Sequence, residues 1–358
     1  MNNLKILAIY RGQMFENRGT PIRVRSLLSR FQMSGDLELS IASWDRSAPG
    51  FKNHLFLDNN HWRDIFSLIK YIRREKIEVV IGHTVSASYY LVPIKFLTRA
   101  KVVLEMHGFV EDEARAYGDI GFFSYWTLKA WYGFTYFICD LVTTCSKSVT
   151  DIILKFNKNT VSIYGGVDID YFNPNVSSGH YFTKDDRIVI GYAGNARTWQ
   201  GVDFLVDAYK KIISTNPEFR LVLLMSETKG LETAGLEIFG PLDNKDVPKF
   251  LIDCDILVIP RPDTPVTKIS FPSKLTEYMA MGKPVVASCL GDMDQIIIND
   301  QNGLLYQPGD QQEFIKNILL LKDNNIRRRL GDRAYQTARD LSWDNQSELF
   351  VENIRKML

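Results

Sequence analysis

A doubly wound α/β chain, built as two successive domains, is the fold class this sequence predicts. Three observations point there. Short, continuous apolar runs such as Leu4–Tyr10, Ile188–Ala193 and Ile256–Ile259 read as strands buried on both faces, as in parallel sheets. Helical stretches separate these runs, so strand and helix alternate. The alternation restarts at Ile188 after a stretch with glycines and a proline and a polar run, and 358 residues suit two domains.

In the first half, Leu4–Tyr10 is followed by a loop with Gly12 and Gly19. Thr20 and Pro21 then open a helix carrying Val24, Leu27, Leu28 and Phe31. Strand, glycine loop and helix form half of a mononucleotide-binding unit, although GQMFENRG is not the dinucleotide fingerprint. Leu37–Ala42 is the next strand, Trp62–Ile72 a helix, and Ile77–Ile81 a strand running into Gly82 and His83. Val85–Leu97 is helical with Pro93 inside it, and Lys101–Glu105 is a strand leading to His107 and Gly108. Ligands of such sheets bind past the C-terminal strand ends, which makes His83 and His107 candidates. Either histidine alone is also compatible with a structural role.

Residues 120–138, IGFFSYWTLKAWYGFTYFI, read as one aromatic helix interrupted by Gly133. It is either a core helix or a face that meets a membrane or a lipid-linked acceptor. Asp140–Thr144 is a strand, Ser146 caps a helix running to Phe156, and Val161–Tyr164 closes the sheet. YGGVDIDYFNP and the polar run 175–186 form a linker.

The second half repeats the plan. Ile188–Ala193 is followed by the loop GNARTWQG and a helix over Val202–Ile213. Leu221–Met225, Glu237–Phe239 and Ile256–Ile259 are further strands. The stretch KISFPSKLTEYMAMGKPVVASC, residues 268–289, is the most informative in the chain. Pro272 suits the first turn of a helix, Ser270 or Phe271 is its expected cap, and Gly282 and Pro284 end it. Val285–Ala287 is a strand. The free N–H groups and dipole at such a helix start favour phosphate. Glu277 sits within that helix, where an exposed glutamate on an amphipathic helix is the alternative reading. Amphipathic helices over Asp310–Leu321 and Asn325–Asp340, and a last helix capped by Ser342, complete the chain.

Composition narrows the function. The chain is 45% hydrophobic with net charge +1, which gives no global support for nucleic-acid binding. Its four cysteines have no metal-ligand spacing and fit a reduced, cytoplasmic compartment. The start MNNLKILAIYRG lacks the charge order of a signal peptide, and no apolar run is long enough to span a bilayer.

The segment FPSKLTEYMAMGKPVVAS resembles the signature of family 4 retaining glycosyltransferases of the group 1 type. LEMHGF resembles that family's strand-end His-Gly. The linker resembles its Asn-Gly-Val-Asp-x-x-x-Phe, with Gly165 where Asn is common. The resemblance covers nearly the whole chain and is weakest over residues 45–100. It implies a GT-B fold: two doubly wound Rossmann-like domains facing across a cleft, with the last helix returning to the first domain. The implied division is an acceptor-side domain over 1–170, a nucleotide-sugar domain over 171–340 and a crossing helix over 341–358.

Two departures stand out. The family's usual Glu, seven residues, Glu keeps only Glu277, since the earlier position is Ile269. Its Gly-Arg and Lys-Gly cations are replaced by Asn195 and Gln200, with Arg197 between them. The Trp199-x-Gly201 form resembles a subgroup involved in surface polysaccharide assembly.

The resemblance implies transfer of a hexose-type sugar from a nucleoside diphosphate sugar to an acceptor hydroxyl, with retention. Expected partners are that donor and a glycan or lipid-linked acceptor, with peripheral contact at the inner face of the membrane; no metal or other cofactor is expected. Glu277 is expected on the ribose, and Arg197, Lys274, Arg261 and the helix start at Ser270, Phe271 and Pro272 on the diphosphate. Gly19 and Gly194 are expected in the binding loops. His107, Arg197 and Lys274 are the expected catalytic residues. The rival readings are a nucleotide-sugar epimerase of the same fold and a non-catalytic sugar-nucleotide-binding protein.

Overall fold

The computed structural model describes residues 3–16, 19–116, 118–183, 185–225 and 235–358. Asn17 and Arg18 of the first glycine loop, and Lys184 of the linker, lie outside the described residues. The chain divides into two compact units, Met1–Gly165 with Trp343–Leu358, and Gly166–Ser342.

The first unit runs β1 (Leu4–Tyr10), α1 (Gly19–Met33), β2 (Leu37–Ser43), β3 (Asn53–Phe56), α2 (His61–Glu75), β4 (Val79–His83), α3 (Ser88–Leu97), β5 (Lys101–Met106), α4 (Val110–Ala116), α5 (Phe122–Ile138), β6 (Leu141–Thr144), α6 (Lys147–Ile153) and β7 (Thr160–Ser162). Its strands lie in the order β3-β2-β1-β4-β5-β6-β7, all parallel. Strand order reverses between β1 and β4, so a ligand crevice is expected past Tyr10 and His83.

The second unit runs β8 (Ile188–Ala193), α7 (Val202–Thr215), β9 (Phe219–Leu224), β10 (Leu236–Phe239), α8 (Val247–Leu251), β11 (Ile256–Ile259), α9 (Pro265–Ile269), α10 (Ser273–Ala280), β12 (Val285–Ser288), α11 (Met293–Ile296), β13 (Leu304–Tyr306), α12 (Gln311–Leu320) and α13 (Asn324–Asp340). Its parallel order is β10-β9-β8-β11-β12-β13, with the switch between β8 and β11. The last helix, α14 (Trp343–Met357), belongs to the first unit. Phe350 meets Phe31 edge-on at 5.5 Å, and Trp343, Val351 and Ile354 join the same core.

Several local expectations change. Val85–Leu97 divides into a tighter turn, Val85–Ala87, and α3, and Thr84 just before it has φ +68°. Gly133 does not interrupt α5, since Phe156 lies against the space its missing side chain leaves. Nor is α5 a core helix on its outward face: Phe122, Phe123, Trp126, Phe134 and Phe137 are exposed, whereas Tyr132, Thr135 and Tyr136 are buried. No described helix is long and apolar enough to cross a membrane.

Candidate active site

Each sheet collects polar side chains beyond the strand ends at its switch point. In the second unit, the loop leaving β8 carries Gly194, Asn195, Arg197 and Gln200, and Arg261 follows β11. Helix α10 delivers Lys274 and Glu277. The Tyr278 hydroxyl accepts the Ala193 N–H at 2.7 Å and fixes α10 against the end of β8.

Lys274 is the centre of this arrangement. Its ammonium donates to Gln200 Oε1 at 2.8 Å and to the Tyr192 hydroxyl at 3.2 Å, and it lies 4.3 Å from the Tyr192 ring centroid. Tyr192 in turn donates to the Asn195 carbonyl at 2.9 Å. A Cβ on Gly194 would stand 2.6 Å from the ammonium and 2.7 Å from the Tyr192 hydroxyl, so glycine leaves room here for both side-chain ends. Gln200, where the family pattern has a cation, therefore holds one in place.

Arg261 is buried beside this group. Its Nη1 donates to the Ser270 carbonyl at 2.8 Å and its Nη2 to the Ser270 hydroxyl at 2.6 Å, while Nε has no partner. Ser270 is thus an anchor for Arg261 and not the cap of α10. The cap is Pro272, with no side-chain hydrogen bond to the helix start. The reason lies upstream: Thr264 and Thr267 form a capping box that starts α9, and α9 ends at Ser270. Phe271 and Pro272 bridge to α10, whose first N–H groups receive no side-chain cap.

The electrostatics follow from burial. Lys274 is pushed down to about 7 by burial and by the Arg261 charge, with Glu277 opposing. Glu277 is pushed up to about 7 by burial, with Lys274 opposing. Among the described residues, no group hydrogen-bonds the Glu277 carboxylate. Arg197 is exposed, its guanidinium 4.9 Å from the Trp199 centroid and its N–H held by Asn195 Oδ1 at 3.2 Å. It has no ion pair among the described residues. The structure thus gathers Gly194, Ser270, Lys274 and Glu277 with Arg261, and sets Arg197 out in solvent.

In the first unit, His83, Glu105 and Thr143 pair side by side across β4, β5 and β6. Glu105 is fully buried and accepts from Arg23 Nε at 2.7 Å; its other oxygen meets His83 Nδ1 at 2.9 Å and also His107 Nε2. Arg23 also donates to the Ile163 carbonyl at 2.8 Å. Burial alone would raise Glu105, but His107, Arg23 and the histidine hydrogen bonds overcome it and hold the carboxyl well below its usual range. Burial lowers His107, against the pull of Glu105. The ligand atoms of His83, Glu105 and His107 lie within 4.8 Å of one another, a spacing that could hold a metal ion. Arg23 already neutralises the single carboxylate of that set. Gly19 is exposed at the first position of α1.

Sequence reasoning missed Glu105, Arg23 and Tyr192, and took Gln200 as a lost cation. A signal existed for two of them. Glu105 interrupts the apolar strand KVVLEM, and Arg23 sits beside Val24 on the buried face of α1. A charge at a buried position requires a partner.

The family model described as "Glycosyl transferases group 1" matches residues 187–324, and that described as "Glycosyltransferase Family 4" matches residues 35–171. An uncharacterized glycosyltransferase of Methanocaldococcus jannaschii is 24% identical over 363 residues, 95% of this chain and 93% of its own length. N-acetyl-alpha-D-glucosaminyl L-malate synthase of Bacillus anthracis is 26% identical over 215 residues, 55% of this chain and 54% of that protein. The solved structure of Anabaena HepE in complex with UDP matches with a TM-score of 0.77 at 15% identity, covering 98% of this chain and 99% of that one. With two parallel Rossmann-like sheets, the likeness is one of fold, and that fold is GT-B.

Proposed function

The chain belongs to the group 1, family 4 glycosyltransferases, and we propose that it moves a hexose from a uridine diphosphate sugar to an acceptor hydroxyl with retention at the anomeric carbon. The observation that carries the donor reading is Lys274 and Arg261 held side by side next to an uncapped helix start, with the unpartnered Glu277 carboxylate further along the same helix. Phosphate favours the helix start and the two cations. Glu277 lies roughly 7–8 Å along the axis from Pro272 at about 1.5 Å per residue, a separation that suits a diphosphate and its ribose. HepE binds UDP, which supports uridine as the base.

As the glycosidic bond breaks, negative charge collects on the departing diphosphate. Preorganised N–H groups and cations stabilise that charge without reorganising. Lys274, Arg261 and Arg197 supply it here, and no step requires a metal. Retention fits same-face attack with the leaving phosphate as base. The Glu277 charge acts on Lys274, and the ribose uses that carboxylate. His107, held by Glu105, is assigned to the transferred sugar by its likeness to the family's strand-end histidine.

A role in surface polysaccharide or glycolipid assembly at the inner membrane face is supported by the outward aromatics of α5 and by four cysteines without disulfides. The test is incubation with UDP-glucose and lipid-linked acceptors, followed by NMR of the product's anomeric proton. An axial, α-configured linkage from the α-donor is expected. A β-linked product contradicts retention, and a changed sugar nucleotide formed without acceptor contradicts transfer.

A further inference from the structure

Helix α5 turns one face away from the first unit. Counted at about 100° per residue, Phe123, Trp126, Thr127, Gly133, Phe134 and Phe137 all fall within roughly 60° of Ala130. The buried Tyr132, Thr135 and Tyr136 lie on the opposite side. Phe123 is 85% exposed, Phe137 70%, Trp126 53% and Phe134 43%. Contiguous apolar surface of this kind marks an interaction site.

The face is a palindrome about Ala130. Phe123 and Phe137 stand seven residues to either side of it, Trp126 and Phe134 four, and Thr127 and Gly133 three. Bulky rings therefore occupy both ends and small residues the middle. An order that reads alike in both directions suits a two-fold interface, where each contact of i with j is repeated as j with i. Laid antiparallel across an axis at Ala130, two copies of α5 bring Phe123 and Trp126 of one against Phe134 and Phe137 of the other. Thr127, Ala130 and Gly133 keep the middle shallow, so the helix axes can approach to about 8–10 Å.

Charge favours a second copy over a lipid surface. α5 has one charged side chain, Lys129, which lies off this face and donates to Asp112 at 3.1 Å and to the Tyr125 hydroxyl at 2.7 Å. Helices that lie on anionic bilayers carry Lys and Arg beside their apolar face. A second α5 needs no cation, and no like charges meet across the axis. At about 150–250 Å² for a whole aromatic side chain, the exposed fractions of the four rings put on the order of 1,000 Å² into the pair, the size from which specific interfaces begin.

We infer that the chain forms a two-fold dimer through α5, with Ala130 at the axis. The pairing leaves Phe122 on α5, Trp62 and Phe66 on α2, and Phe96 on α3 exposed. It also bears on the candidate site, because α4 begins three residues after His107 and its Asp112 accepts from Tyr125 and Lys129 of α5. A paired α5 braces the segment that follows His107. Nothing in the pairing depends on the transfer reaction.

The test is sedimentation of the full chain without lipid or detergent, over about 1–100 μM, with UDP titrated separately. The parent should sediment as two chains at the upper concentrations. Ala130→Glu sets two like charges at the axis and should weaken association roughly 30-fold or more, with UDP affinity unchanged. Ala130→Cys should cross-link to its own copy on oxidation, whereas Ser124→Cys, about a third of a turn off the face, should not. A parent that stays a single chain throughout overturns the dimer, and its flotation with phosphatidylglycerol vesicles would give the face to the bilayer. A parent dimer that Ala130→Glu leaves intact, or that Ala130→Cys fails to cross-link, overturns the pairing through α5.

Discussion

Lys274 is a cation that its surroundings hold close to neutrality. Burial and Arg261 bring it down to about 7, so a bound diphosphate must raise it again. Between the free and bound values, nucleotide binding takes up a proton, and affinity falls as pH rises. Glu277, raised to about 7, loses its charge and its capacity to accept from both ribose hydroxyls below that pH. UDP affinity should therefore peak near neutrality and fall by up to about tenfold per pH unit on the basic side, one proton's worth. Calorimetry in buffers of different ionisation enthalpy reads both the affinity and the proton uptake. A flat profile from pH 6 to 9 contradicts the picture, and Lys274→Met should remove the basic limb. In the first unit, burial lowers the pKa of His107 and Glu105 opposes that shift. Glu105→Gln should shift the acid limb of the turnover profile to lower pH, because the neutral amide no longer favours the imidazolium. His107→Ala should lower kcat by more than it weakens UDP binding, as expected of a contact strengthened in the transition state. An unchanged kcat returns His107 to a structural role.

Helix α10 and the turn at Gly201 show how elements aim these residues. Gly201 has φ +73° and opens α7, and a Cβ there would lie 1.7 Å from the Pro260 carbonyl oxygen, one residue before Arg261. Gly201→Ala should destabilise the protein by roughly 2 kcal/mol or more, read as a lower midpoint of thermal unfolding. An unchanged midpoint means the approach is not needed. Gly201 also shows what was legible. The strands Leu4–Tyr10, Ile188–Ala193 and Ile256–Ile259 stand where the apolar runs placed them, because parallel strands are buried on both faces. The edge strand Asn53–Phe56, NHLF, was missed because it is short and has no apolar run to announce it. The start of α10 was misplaced because Thr264 and Thr267 start a separate short helix that ends at Ser270, whose hydroxyl Arg261 holds. Lys274 and Glu277 were legible through their motif. The Lys274 partners Tyr192 and Gln200 were not, since only the fold brings residue 200 against residue 274.

Across the whole molecule, two parallel sheets each carry polar side chains near the C-terminal ends of their strands. If Lys274, Arg261 and Arg197 meet the charge on the leaving group as proposed, transfer from UDP-glucose should persist in excess chelator. Turnover lost in chelator and restored by magnesium or manganese would reassign that charge to a metal. The central claim is that the second unit holds a nucleotide diphosphate, with its ribose on Glu277. The most direct measurement is calorimetric titration of UDP into the parent and Glu277→Gln at neutral pH, in chelator. Charge-assisted hydrogen bonds are worth roughly 1.5–3 kcal/mol, so the variant should bind UDP about tenfold more weakly or worse while unfolding at the same temperature. Equal affinity in parent and variant would contradict the ribose assignment and the donor site built on it.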